Sequence, residues 1–405
     1  MRISQTAYGT NSLIPKKVID NIVLFFLFIY ISNTASICFE QTFSFALIGL
    51  FCAFFLLKKR RVDPFIVGIG IYWFFINFLY SNVFNESWVF NKVLGGLIPL
   101  TISYLGFKII GSSFWHRFEK WVFVLTSISL VFYGMQLLFP FIFESLSSVF
   151  GNFIADFYTE ARPTAWYVFV YTYSPIAGLA YVRNSGFMWE PGAFAMICII
   201  AIIYRSIVYG VKIDKYLIIY VIAILTTMST AGYLALALYL LFYIRNSEGR
   251  IKTILFLLLF ICAIPFVFQL EFIGEKLNDY LYNSNVYGNT NERLDTIEYD
   301  RFTVFRLNME RLLYYPLGYG VYNIKDDFGY NFVGVNGIAT FARMWGVAGI
   351  SFMLIGIYKT LKKMYGGTSF SWLFVLMLLI VFFSNPIERS PLFFVYLMPF
   401  CRIQK

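Results

Sequence analysis

Two arginine settings in this chain suit phosphate chemistry. The first is the run Arg183-Asn184-Ser185-Gly186-Phe187-Met188-Trp189-Glu190-Pro191-Gly192; the second is Arg301 and Arg306 on a helix-like segment. A guanidinium presents a planar fork that meets two phosphate oxygens at once and keeps its charge. Set against a departing pyrophosphate, it neutralises charge that builds in the transition state. In the first run, Pro191 suits a first helical turn and Gly186 permits a tight backbone approach. Glu190 would favour the positive helix end. The run therefore reads as a turn feeding a helix start, and such a start itself binds anions. The plainer alternative is that Arg183 and Glu190 only pair with each other.

In the second setting, Phe302, Phe305, Met309 and Leu312 recur at helical spacing. This predicts an apolar face flanked by Arg301 and Arg306, with Arg311 turned away to solvent. Arg306 and Glu310 stand four apart, so a surface pair is the plainer reading of Arg306. Pro316, Gly318 and Gly320 close that helix. The single histidine, His116, falls in a basic loop on the other side of the expected topology. An outer reaction must then use a carboxylate as base, or none. Glu190 is the candidate base; Asp295, Glu298, Asp300 and Glu310 read as solvated. No P-loop, zincin or dinucleotide-binding pattern is present.

These groups need elements to hold them, and composition says which. Of 405 residues, 59% are hydrophobic, 13% are charged and 48 are Phe. Long apolar runs, not short alternating ones, predict an all-α polytopic membrane protein. Cys38, Cys52, Cys198, Cys262 and Cys401 are scattered, with no disulfide framework or zinc spacing. The first apolar run, after Lys16-Lys17, is long enough to stay as a span. Spans are expected near residues 19–38, 42–57, 64–81, 88–108, 120–140, 189–208, 215–230, 231–245, 253–270, 337–357, 369–384 and 389–401. That makes about 12, or 11 if one of the tight pairs at 215–245 and 369–401 is a single span. The chain reads as one membrane domain, 1–405, interrupted by two long outer loops, 141–187 and 271–336. Deep charges appear nearly absent from the spans, with Lys92, Glu190 and Arg343 toward their outer ends.

With both termini in the cytoplasm, Lys+Arg divide 21 inside and 11 outside, which sums to 32, and Asp+Glu divide 5 and 17, which sums to 22. Basic loops stay inside, so topology accounts for the net charge of +10 and no nucleic-acid partner is implied. In the first loop Trp166, Tyr167, Tyr171, Tyr173 and Tyr181 could stack on sugar rings or form an interfacial belt.

The segment from Arg183 to Ala195, RNSGFMWEPGAFA, resembles the Arg-x-x-Gly-x-x-x-Glu-Pro-Gly region of bacterial O-antigen polymerases of the Wzy type. Thr227-Met228-Ser229-Thr230-Ala231-Gly232, Pro316-Leu317-Gly318-Tyr319-Gly320 and Asn336 followed by Gly346 resemble further regions of that superfamily, which includes the O-antigen ligases. The resemblance spans roughly residues 165–360. It implies a GT-C-like, metal-independent glycosyltransferase without cofactor in the bacterial inner membrane. Its substrate would be an undecaprenyl-diphosphate-linked oligosaccharide at the periplasmic face, with membrane lipids and a chain-length regulator as partners. By the same resemblance Arg183 binds diphosphate from the first loop. Arg301 or Arg306 does so from the second, and Tyr319 and Asn336 lie at the substrate. The ligases carry a histidine before that asparagine; here Val335 stands there, which favours polymerase over ligase. A polysaccharide flippase or exporter is the rival from another class.

Overall fold

Proline or an acidic residue opens the helices that begin at Pro64, Pro191 and Lys215, and left-handed backbone at Asn33 and Met228 ends those that begin at Lys16 and Lys215. The computed structural model describes residues 15–84, 90–175, 182–246, 289–291, 296–298, 301–322, 331–333, 336–364, 372–387 and 390–401. The first helices are α1 (Lys16–Ser32), α2 (Gln41–Leu57), α3 (Pro64–Val83), α4 (Phe90–Ile110) and α5 (Phe114–Leu138). Short helices α6 (Pro140–Ser145), α7 (Ser147–Phe150) and α8 (Asp156–Ala161) follow, then a hairpin of β1 (Trp166–Val168) and β2 (Tyr171–Tyr173). Next come α9 (Pro191–Tyr209), α10 (Lys215–Thr227) and α11 (Thr230–Asn246). The strands β3 (Asn289–Asn291), β4 (Thr296–Glu298) and β5 (Asn331–Val333) form one sheet, antiparallel then parallel. The described part closes with α12 (Arg301–Tyr314), α13 (Gly337–Met364), α14 (Trp372–Phe383) and α15 (Pro391–Phe394), which runs on as a 3-10 helix over Val395–Phe400.

Among the described residues, four stretches are long and apolar enough to cross a membrane: Pro64–Val83, Phe90–Leu138, Pro191–Tyr209 and Gly337–Met364. Leu56, Ile71, Phe78 and Leu138 point outward along the bundle, each more than 60% exposed. Lipid-facing helices carry such side chains because hydrocarbon leaves no reason to hide them. α9 is the hub, packed against α5, α10, α11 and α14 and buried along nearly its whole length.

At the expected spans 215–230, 369–384 and 389–401 the described helices are short. α10 has 13 residues and α14 has 12 described ones, about 20 and 18 Å of helix. α10 reverses at Met228 (φ 50°) and α14 ends at Ser384-Asn385. α10–α11 and α14–α15 are thus hairpins with short limbs. The expected span at 253–270 lies outside the described residues. The all-α expectation is relieved by the two small sheets.

Buried charges collect near helix ends and not mid-span: Asp20 near the start of α1, Lys108 near the end of α4 and Glu119 near the start of α5. Lys58 and Arg117 hold Asp20; Lys108 holds Asp63; Arg205 of α9 holds Glu119 at 3.1 Å and also Asp214. Arg205 is 15 residues beyond Glu190, about 22 Å along the helix, so these pairs clamp the end of the bundle opposite to Glu190.

α13 is broken at Gly346, whose φ of 68° and ψ of −169° belong to no helix. The Pro316–Gly320 segment threads the break. Tyr319 and Gly320 donate their N–H groups to Arg343 and Met344 carbonyls at 2.8 and 3.2 Å, and Val347 donates to Pro316 at 2.8 Å. A Cβ at Gly346 would collide with the Leu317 backbone. Gly346→Ala should therefore destabilise the detergent-solubilised protein by at least about 2 kcal/mol, from strain at a glycine-only conformation plus the clash. A thermal unfolding midpoint equal to wild type would contradict this account.

Candidate functional site

Arg183 ends an extended leg of the first loop, and the tip of the α10–α11 hairpin receives it. Its Nε and Nη2 donate to the carbonyls of Thr227 and Met228, both at 3.0 Å. Those carbonyls end α10, where backbone acceptors lack helical partners and carry the negative dipole end. Asn184 makes the same docking double: its N–H donates to the Thr226 carbonyl at 3.1 Å and its Nδ2 to Thr226 Oγ1 at 2.9 Å. Asn184 Oδ1 then accepts from Gly186 N–H at 2.8 Å. Gly186 (φ 55°) turns the chain against Phe194, and its carbonyl accepts from Thr172 of β2. The run is a turn into a helix, as its composition predicts: Pro191 is the first residue of α9, and extended Glu190 precedes it.

Around that helix start, several short-limbed tips meet. A Cβ on Gly192 would lie 3.1 Å from Asn385 Oδ1, 3.7 Å from Ser229 Oγ and 3.8 Å from Glu190 Oε1. Asn385 is fully buried, its Oδ1 accepts no hydrogen bond, and it sits at the α14 tip. Arg301 opens α12 and hydrogen-bonds Ser384 beside it. Arg162 of the first loop hydrogen-bonds Ser174. Burial pushes the Arg183 guanidinium down to about 10; the charges of Arg301 and Arg162 push the same way, while Glu190 and Tyr233 oppose them. It remains a cation at neutral pH. Guanidiniums from both loops, Arg162 and Arg183 from the first and Arg301 from the second, thus feel one another, with Glu190 the one carboxylate acting on Arg183 among the described residues. Burial and like charge disfavour this arrangement, and a bound polyanion would relieve both.

The other candidates lie elsewhere or are engaged. Arg306 is turned to solvent, 63% exposed, and its partner is Glu310 at 3.8 Å. The buried face of α12 is Val304, Asn308 and Leu312, while Phe302 is 62% exposed. The expected apolar face is therefore wrong in register. Polar anchors decide it: Arg301 must reach Ser384, and Asn308 faces the Tyr319 hydroxyl. Asn336 is buried with its side chain committed to the backbone. Its Oδ1 accepts from Ala339 N–H at 2.9 Å, capping α13, and its Nδ2 donates to the Arg301 carbonyl at 3.1 Å. It positions Arg301. Tyr319 is buried under Arg343, whose Cζ lies 5.7 Å from its ring, and it also bonds Arg311. Arg311 is therefore held by protein and is not merely solvated. The aromatics Trp166, Tyr167, Tyr171 and Tyr173 are buried in the core of the first loop, available neither to a sugar nor to an interfacial belt. Tyr181, Asp295, Asp300 and Val335 lie outside the described residues, as does the Glu298 side chain. His116 meets Tyr209 at the far end, 2.9 Å away.

Arg162, Ser384 and Asn385 escaped the reading of the sequence. Arg162 was legible as the second cation of the first loop, and Ser384-Asn385-Pro386 as a polar break inside an apolar stretch. No protein-family model, curated protein or solved structure matches the chain.

Asn336→Ala removes a helix cap and the Arg301 tether together, with an expected loss of about 1–2 kcal/mol of stability. Asn336→Asp keeps the capping oxygen and should recover most of it. Equal unfolding midpoints for the two variants would show that the cap contributes nothing.

Proposed function

We propose that this chain polymerises surface polysaccharide at the outer face of the bacterial inner membrane. The growing glycan leaves its undecaprenyl diphosphate and joins a hydroxyl of the next lipid-linked repeat unit. In this reading about 12 helices cross or enter the bilayer, and the ion-paired end, rich in Lys and Arg, faces the cytoplasm. The arginine end then faces the periplasm, at the depth where a lipid diphosphate lies.

One observation carries the reading: Arg183 from the first long loop and Arg301 from the second come to the same helix start. Arg162 adds a third cation. Arginines suit the donor diphosphate because each can meet two oxygens in parallel. The sugar C1–O bond to phosphate breaks and its electron pair leaves on the diphosphate, where the guanidiniums stabilise it. The acceptor hydroxyl forms the new C1–O bond, and its proton passes to Glu190, the carboxylate at the site. Val335 in place of the ligase histidine favours a lipid-linked acceptor.

The test uses a strain lacking this gene, complemented with variants, and reads the glycan ladder on its lipopolysaccharide. Arg183→Ala and Arg301→Ala should leave single-repeat glycan at normal protein level, with extension reduced about 100-fold or more, as for loss of a transition-state donor. Arg183→Lys should fail as well, since a point charge cannot span the Thr227 and Met228 carbonyls and a phosphate together. Arg306→Ala should keep long chains. Long chains from Arg183→Ala would overturn the proposal, and absence of any repeat unit at the outer face would point to a carrier.

A further inference from the structure

The ion-paired end of the bundle contains a cavity that the arginine site does not use. It holds about 240 Å³ between the ends of α4, α5, α9 and α13 and the C-terminal 3-10 helix. That volume falls short of the roughly 300–1,000 Å³ of whole small-ligand pockets and suits a single slim chain. Phe107, Trp115, Tyr204 and Val208 supply apolar wall, and Lys363 stands exposed beside it. Lys359 lies close by, its Nζ 4.2 Å from the centre of the Phe400 ring. Thr360 also lines the cavity, only 4% exposed, and its hydroxyl has no hydrogen-bond partner among the described residues. Buried hydroxyls are nearly always satisfied, so this one points to a ligand acceptor.

Charge and dipoles decide the kind of ligand. α4, α9 and α13 bring C-terminal, negative ends to this cavity, against the one N-terminal, positive end of α5. A small anion is therefore disfavoured inside, while the lysines favour one at the rim. The fitting molecule has an apolar chain, a hydrogen-bond acceptor at the neck and an anionic head. We infer that this cavity seats one acyl chain of an anionic membrane phospholipid, with its ester carbonyl at Thr360 and its phosphate at Lys363. The inference is independent of the arginine site and its reaction.

Trp115 provides the readout. The full-length protein is reconstituted in phosphatidylcholine vesicles in which either the phosphatidylcholine or added phosphatidylglycerol carries brominated acyl chains. Bromine quenches indole fluorescence on contact, and Trp115→Phe isolates the share that belongs to this cavity. That share should be quenched more by brominated phosphatidylglycerol. Lys363→Glu, at an exposed position that leaves folding intact, should lower the preference by about fivefold for each charge changed. Thr360→Val should weaken quenching by both lipids. Equal quenching by both in the wild type would mean ordinary boundary lipid and overturn the inference. So would the absence of any Trp115 share. Loss of the preference on adding millimolar inorganic phosphate would reassign the rim to a free anion, overturning the lipid.

Discussion

A cation held at the end of a truncated helix organises one end of this molecule. α10 stops after 13 residues, and its last carbonyls are acceptors that the helix itself cannot satisfy. Arg183 takes two of them, and Asn184 takes the Thr226 carbonyl and hydroxyl beside them. The contact sets how deep the first loop descends, where α9 begins and which way the guanidinium faces. Glu190, Ser229 and Asn385 follow from that placement, because Gly192 leaves space among them.

The two ends of the bundle handle charge in opposite ways. At one end every buried acid already has its base: Asp20 with Lys58 and Arg117, Asp63 with Lys108, Glu119 with Arg205. Such pairs add little net stability against their desolvation, yet breaking one is costly, so they register the helix ends. At the other end guanidiniums gather around a single carboxylate, and the balance is cationic. The first arrangement is closed on itself, whereas in the second the described cations outnumber the carboxylate.

Apolar runs bounded by proline were legible from sequence alone. α3 and α9 begin at Pro64 and Pro191 and lie within two residues of their expected limits. The sequence also marked where two runs fold back, at 230–231 and after 384, within three residues of the breaks at Met228 and Ser384. In α12 the repeat of Phe302, Phe305, Met309 and Leu312 pointed to the wrong face. A hydrophobic stripe decides orientation only where water is the alternative, and here polar anchors at Arg301 and Asn308 outweigh it. Arg162 precedes Arg183 by 21 positions, and no local pattern links them; the β1–β2 hairpin between them brings them together. The loop aromatics were assigned to ligand or interface because composition cannot foresee that a short extramembrane segment builds its own core.

The passage of Pro316–Gly320 through the interrupted α13 has a mechanical meaning. The strand acts as a wedge: its N–H groups take the Arg343 and Met344 carbonyls, and its Pro316 carbonyl takes the Val347 amide. Those carbonyls and that amide flank the fracture from opposite sides, so neither half of the rod can swivel without dragging the wedge. The wedge is also the tail of the segment that begins at Arg301. A pull on that guanidinium is thus geared into the long rod that runs to the lysine-rich end.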